Sequence, residues 1–265
     1  MSKVSVRGIE IAYVDAGVGP AVVFLHGFPF NRSLWRDQIE ILSPHFRVLA
    51  PDLRGHGETS VVPGAATMEE MAADVIAWLD ALEISEAAVC GLSMGGYVTL
   101  ALCREFRSRV RCLVLADTRA VADTEEGKQS REQQAQKALQ EGMAAIADGM
   151  LPKLVAPVTV AKHPEVVARV REMILKTDPA GAAAAQRGMA QRRDQTDLLP
   201  QINVPTLVIV GENDQLTPVA ESETMHRLIA GSRLEIIAGA GHVSNLEQPE
   251  TFNRVLRDFL VSQYS

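Results

Sequence analysis

Cysteine is rare in this chain. Cys90, Cys103 and Cys112 are the only three, too few for a disulfide framework and without the paired spacing of a metal site. Each lies in an apolar stretch where a small buried hydrophobe is the usual occupant. No metal is expected, and a reducing, cytoplasmic setting fits. Long apolar runs are missing too. None approaches the roughly 20 residues of a membrane span, and Met1 to Gly17 alternates polar with apolar residues instead of showing the basic-then-apolar order of a signal peptide. Nor is there a run of Lys or Arg interleaved with aromatics. With 26 basic and 33 acidic side chains the net charge is −7, which makes nucleic acid and anionic membrane poor partners. A small molecule is the expected partner. At 47% apolar residues the chain can bury a full core, so one domain with an inserted subdomain is expected rather than two independent domains.

What is present centres on Val89-Cys90-Gly91-Leu92-Ser93-Met94-Gly95-Gly96-Tyr97. An apolar run leads in, and Tyr97, Leu100, Ala101 and Arg104 follow at helical spacings, so the stretch reads as strand, sharp corner and helix. Gly91 and Gly95 suit that corner, because side chains there would strike the neighbouring strand or helix. Ser93 is thereby pushed out at the top of a sheet. The N–H of Met94, at the start of the helix, is left able to donate to an oxyanion.

Taken in order, Val4 to Val14 gives two short alternating strands turning at Arg7-Gly8. Ala21 to Leu25 is a continuous apolar run, typical of a strand buried on both faces, and it ends in His26-Gly27-Phe28-Pro29. The N–H of Phe28 is the candidate second oxyanion donor, and His26 is read as a buried spacer that hydrogen-bonds the loop. A helix is expected over Ser33–Leu42 and a strand over Arg47–Ala50. The charged loop Asp52-Leu53-Arg54-Gly55-His56-Gly57-Glu58-Thr59 reads as a solvated turn with an internal Asp/Arg pair. Thr67 and Glu70 form a capping-box signature ahead of an amphipathic helix. After the strand Cys112–Ala116 the alternation of strands and helices stops. From Ala120 to Arg193 the pattern is of short helices punctuated by Gly and Pro, expected to form a lid. Strands resume at Val204–Val210 and Leu234–Ile237, each running into a loop: Gly211-Glu212-Asn213-Asp214 and Gly239-Ala240-Gly241-His242. Helices are expected from Pro218 and from Pro249.

In an open parallel sheet the ligand crevice lies outside the carboxyl ends of the strands, and Ser93, Asp214, His242 and the Phe28 loop all follow predicted strands. A serine hydroxyl needs a base near neutral pH, an imidazole has a suitable pKa, and a carboxylate on its other nitrogen fixes tautomer and orientation. Through these motifs, together with Asp52-x-Arg54-Gly55-x-Gly57, the chain resembles the α/β-hydrolase fold family over essentially its whole length. The resemblance implies an α/β fold: a mostly parallel, twisted sheet flanked by helices, with residues 1–119 and 195–265 as core and 120–194 as an inserted helical lid. It implies Ser93 as nucleophile, Asp214 as orienting acid, His242 as base, and the N–H groups of Phe28 and Met94 as oxyanion hole, with no cofactor. Asp117 also ends a strand and is the rival acid; Asp214, in the strand after the insertion, matches the commoner arrangement, and Asp117 is expected to cap the entry into the lid.

Within the family, Arg192 to Pro200 and Gly241 to Pro249 look most like the 3-oxoadipate enol-lactonase and small carboxylesterase branch. The implied reaction is hydrolysis of a carboxylic ester or lactone of a small molecule through an acyl-enzyme. Carbon–carbon bond hydrolysis and perhydrolysis would use the same triad, and a ligand receptor or regulatory partner with an intact triad is the non-enzyme alternative. For substrate binding, Phe28 and the lid residues Met143, Met150 and Leu154 are candidates, against a simpler role of the lid residues as lid core. A substrate with a free carboxylate would need an inward cation. None of Lys153, Lys162, Arg169, Arg171, Lys176, Arg187, Arg192 and Arg193 stands out, which favours a general esterase.

Overall fold

Arg7 and Gly8, both left-handed at φ 49° and 79°, reverse the chain as a tight hairpin requires. They join β1 (Ser2–Val6) to β2 (Ile9–Ala16), which pair antiparallel with Val6 opposite Ile9. The computed structural model of the protein describes residues 2–264. Six further strands follow: β3 (Ala21–Leu25), β4 (Arg47–Pro51), β5 (Ala87–Leu92), β6 (Val110–Ala116), β7 (Thr206–Gly211) and β8 (Arg233–Ile237). All belong to one sheet in the order β1-β2-β4-β3-β5-β6-β7-β8. The first two pairings are antiparallel and every later one is parallel. This is the mostly parallel α/β sheet that the alternating pattern implies. β5 and β7 are buried along their whole length, which is why they read as unbroken apolar runs. The strand expected from Val204 begins only at Thr206, since Pro205 has no N–H for the ladder.

The expected helix over Ser33–Leu42 is in two pieces. A 3-10 turn spans Arg32–Trp35, capped by Asn31 Oδ1 accepting from Ser33 N at 3.0 Å, and α1 (Arg36–Leu42) follows. α2 (Met68–Ala81) opens on the capping box, with Thr67 Oγ1 accepting from Glu70 N and Glu70 Oε2 accepting from Thr67 N, each at 3.2 Å. α3 (Met94–Glu105) starts directly after Ser93. Between β6 and β7 stand α4 (Glu125–Leu154), broken at Gly142, then α5 (Pro157–Lys162), α6 (Pro164–Leu175) and α7 (Pro179–Ala190). The last three each start at a proline, where a missing N–H costs nothing. α8 (Val219–Leu228), α9 (Ser244–Glu247) and α10 (Pro249–Tyr264) complete the chain. Among the described residues no helix is long and apolar enough to cross a membrane.

Two fully buried indoles anchor the helices to the sheet. Trp35 lies against Phe24 of β3 and Phe252 of α10, with ring centroids 4.7 and 6.3 Å apart, and Trp78 of α2 lies edge-on to Tyr13 of β2 at 5.4 Å. Truncating either to alanine would cost about 3–5 kcal/mol.

The loop after β4 differs from the solvated turn that its charges suggest. Asp52 is buried; its Oδ1 accepts from Arg32 N at 2.7 Å, and its Oδ2 accepts from Glu58 N at 2.8 Å and pairs with the Arg32 guanidinium. Arg54 turns away instead to Asp74 of α2, at 2.7 Å. A carboxylate removed from water needs several donors at once. Arg32, from the segment leading into α1, supplies two of them and the loop's own Glu58 N a third.

The inserted helices meet the core backbone to backbone. Ala66 N donates to Ala184 O at 2.9 Å, and a Cβ added to Gly188 of α7 would stand 1.7 Å from Ala66 O. Rigid backbone on both sides leaves no room to relax. Gly188→Ala is therefore expected to cost about 2–3 kcal/mol, a fall of roughly 4–12 °C in Tm by thermal unfolding.

Candidate active site

The corner at Ser93 is held by contacts from both sides. Its backbone sits at φ 55°, ψ −114°, a strained conformation for a residue with a Cβ. Side chains are absent where the turn is tightest: a Cβ on Gly91 would lie 2.2 Å from Gly95 O, and one on Gly95 would lie 2.1 Å from Leu25 O. Ser93 N donates to Ala116 O at 3.0 Å, and Thr118 Oγ1 donates to Ser93 O at 2.8 Å. The side chain is thereby aimed off the carboxyl end of β5.

The structure brings Ser93, His242 and Asp214 together. Ser93 Oγ is 2.8 Å from His242 Nε2, and His242 Nδ1 is 2.8 Å from Asp214 Oδ2. Asp214 also accepts from Leu216 N at 2.8 Å, Thr217 N at 3.0 Å and Thr217 Oγ1 at 2.6 Å. Burial works against its charge, but the facing imidazole and these donors outweigh it and hold Asp214 below the ordinary carboxylate value. For His242 burial pulls the other way, yet the Asp214 charge and hydrogen bond prevail and raise it above the ordinary imidazole value. The pair is thus arranged to receive a proton at Nε2.

Phe28 and Met94 lie on the two segments that meet at Ser93. A Cβ on Gly27 would be 3.2 Å from Ser93 Cβ, so the β3 loop runs directly beside the corner. Neither the Phe28 nor the Met94 N–H donates to any acceptor among the described residues, which leaves both free for an incoming oxygen. His26 has the spacer role expected of it. It is buried, its Nε2 accepts from Leu53 N at 2.9 Å and its Nδ1 lies 3.0 Å from Gly27 O. Burial lowers it to about 4, so it stays neutral and ties two loops together.

A cavity of about 160 Å³ opens on Ser93 and His242, walled by Phe28, Tyr97, Met150 and Leu216 on its apolar side and by Arg119, Arg131 and Gln186 on its polar side. Of the lid residues proposed as its lining, only Met150 is there. Met143 and Leu154 are buried in the core, and Leu154 is held inward because its carbonyl accepts from His242 N at 3.0 Å. None of the eight lid cations singled out from the sequence reaches the cavity. Five of them are paired near the surface: Arg169 with Asp37, Arg171 with Asp148, Lys176 with Glu172, Arg187 with Glu132 and Arg193 with Asp197.

The cavity's cations are two that sequence reading passed over. Arg119, Arg131 and Arg192 converge on the single carboxylate of Asp123: Arg119 at 2.9 Å, Arg192 at 2.6 and 2.8 Å, and Arg131 through Nε. Burial opposes the Asp123 charge, but hydrogen bonds from Arg192 and Arg131 hold it well below the usual carboxylate range. Arg192 also lies 4.4 Å above the Tyr97 ring. Three guanidinium groups share one carboxylate, and Arg119 Nε is buried with no hydrogen-bond partner. The available signal was positional, since Arg119 follows β6 by three residues at the same sheet edge as the other candidates. At the entry to the inserted helices Thr124 caps α4; Asp117 does not have the capping role expected of it there. It is fully buried and bonded to Gly211 N and Ser244 Oγ, because the ends of β6 and β7 lie side by side there.

Residues 20–249 match the family model described as alpha/beta hydrolase fold. The chain is similar to a 3-oxoadipate enol-lactonase of Acinetobacter baylyi, 32% identical over 237 residues that cover 89% of this chain and 87% of that protein. Among solved structures it resembles a thermophilic esterase from Thermogutta terrifontis, malate bound, with a TM-score of 0.97 and 43% identity over all of both chains. The enol-lactonase of Burkholderia xenovorans gives a TM-score of 0.92 and 34% identity over 98% of this chain and 100% of that one.

The charges around His242 have a measurable sign. A base must be neutral to accept a proton, so function at Nε2 is present above the His242 pKa and lost as pH falls through it. In the intact protein the titration midpoint of His242, followed by NMR, is expected above 6.5. Asp214→Asn removes the strongest influences that oppose burial, and the midpoint should fall relative to the intact protein.

Proposed function

Since the chain belongs to the alpha/beta hydrolase fold family, we propose that it is a serine hydrolase cleaving a carboxylic ester or lactone of a small molecule through an acyl-enzyme. The observation that carries this reading is the continuous contact from Ser93 Oγ through His242 to Asp214, at 2.8 Å on each side of the ring. His242 Nε2 takes the Ser93 proton as the hydroxyl attacks the carbonyl carbon. The carbonyl oxygen gains charge and is met by the N–H groups of Phe28 and Met94. His242 then gives its proton to the departing alkoxide or enolate, and the same base later activates the water that releases the acid. Asp214 stays ionised throughout, holding the Nδ1–H tautomer. Helices α4–α7 act as the lid over this cavity.

The cavity supports a short acyl group, being smaller than the roughly 300–1,000 Å³ of drug-sized sites. Its wall supports a further narrowing. No lid cation stands out in the sequence, which favours neutral esters, but Arg119 and Arg131 line the same cavity as Ser93 and favour a substrate with a carboxylate of its own. The enol-lactonase and the malate-bound esterase among its relatives agree with that choice. A cytoplasmic setting suits the three unpaired, buried cysteines.

Two experiments test the reading. Ser93→Ala should lower kcat on p-nitrophenyl acetate on the order of 10⁶-fold, and a fluorophosphonate should label the Ser93 peptide; label on another serine refutes the assignment. The monomethyl ester of a short dicarboxylic acid should outrun its dimethyl ester in kcat/KM. Arg131→Gln should raise KM for the acid about 10–100-fold and leave the neutral ester within about threefold. Equal effects on the two esters would return the protein to a general esterase.

A further inference from the structure

The corner that ends β6 touches every arm of the candidate triad. Ala116 O accepts from Ser93 N at 3.0 Å, and Thr118 Oγ1 donates to Ser93 O at 2.8 Å. Between these two residues Asp117 is fully buried. Its Oδ1 accepts from Gly211 N at 2.8 Å, at the end of the strand that delivers Asp214. Its Oδ2 shares a hydrogen bond of 2.5 Å with Ser244 Oγ, just past His242. One side chain therefore joins the acid-bearing strand to the base-bearing loop. It does so from a left-handed backbone at φ 44°, fixed by Asp117 N donating to Ile209 O at 2.8 Å, a conformation that persists only where the surroundings impose it.

The charge state of Asp117 follows from its neighbours. No Lys or Arg among the described residues pairs with it; its side-chain partners are an N–H and a hydroxyl. The titratable groups that face it are Asp214 from the loop after β7, His242 from the loop after β8 and Cys90 of β5. Two buried carboxylates so placed do not both ionise readily. Asp214, which faces the imidazole and gathers three further donors, is the one that holds the charge. Burial, and then the charge of Asp214, push Asp117 well above the usual carboxylate range.

We propose that Asp117 is a positioning residue for the triad that works as a neutral carboxylic acid, its C=O receiving the Gly211 N–H and its O–H shared with Ser244. The positioning part rests on the Ser-His-Asp reading above; the protonation part does not. Asp117→Asn keeps the shape and the neutrality, whereas Asp117→Ala cuts both arms. With p-nitrophenyl acetate as probe, Asp117→Asn should keep kcat within about threefold, and Asp117→Ala should lose roughly 100-fold in kcat with KM within about twofold, the size of effect that an ångström of misplacement produces. Ser244→Ala cuts only the arm to the base and should fall between them, and adding it to Asp117→Ala should cost nothing more. NMR titration of His242, which needs no turnover, should give the same midpoint in Asp117→Asn as in the parent protein. A midpoint that drops by about one pH unit would mean that an anion at this position had been removed, and would overturn the neutral acid. A folded Asp117→Ala variant with unchanged kcat would overturn the positioning role. Should Asp117→Ala fail to fold, unchanged kcat in Ser244→Ala overturns it instead. If the parent protein cleaves no ester at all, the hydrolase reading fails, and the titration alone still decides the charge of Asp117.

Discussion

Everything in the site depends on a single residue being held in a backbone conformation that it would not choose. Ser93 at φ 55°, ψ −114° stores strain of the order of 1–3 kcal/mol, and the parallel sheet is what makes it tolerable. β5 lies between β3 and β6, so the corner is clasped by the ends of both neighbours: the β3 loop presses Gly27 beside Ser93, and the β6 corner bonds to its N–H and C=O. Adjacent strand ends also place the loops after β7 and β8 within reach of a ring nitrogen. Strand order thus converts a local strain into a fixed hydroxyl position.

Charge inside the protein is handled case by case, and each case ties together distant parts of the chain. Asp52 closes the loop after β4 onto the entry to α1. Asp123 gathers arginines from the end of β6, from α4 and from the segment after α7. Glu247 is the least expected of the set, since it accepts from Gly241 N at 2.8 Å, Ala156 N at 2.7 Å and Thr159 Oγ1 at 2.6 Å. It thereby fastens the inserted helices to the segment that carries His242. Hydrogen-bonded carboxylates of this kind are satisfied without a cation.

The parts of the fold legible in the sequence are those written in local chemistry. Ala21–Leu25 and Thr206–Gly211 announce buried strands by continuous apolarity, Thr67 and Glu70 announce a helix start, and Gly91 and Gly95 announce the corner at Ser93. Strand ends then bring Ser93, Asp214 and His242 to one edge without any knowledge of distances. What escaped is what depends on partners far away in the chain. Asp52 finds Arg32 instead of Arg54, Leu154 is buried where its carbonyl bonds to His242 N, and Arg119 and Arg131 are held by Asp123 from the end of β6 and from α4. Asp117 is the clearest instance, with partners 94 and 127 residues further along. A glance at its surroundings in sequence suggests a cap; its surroundings in space make it a strut.

The arginine cluster and the overall charge of the protein act over different ranges. With a net charge of −7, the molecule as a whole repels an approaching anion, whereas the cavity wall, where Arg119 and Arg131 stand with Arg192 buried beside them against the single carboxylate of Asp123, attracts one. In about 0.15 M salt the screening length is roughly 8 Å, so the distant surface is silenced and the nearby arginines are not. At low ionic strength the whole-molecule field extends further out. Encounter with an anion is then governed by two opposed fields, and salt weakens the repulsive one first.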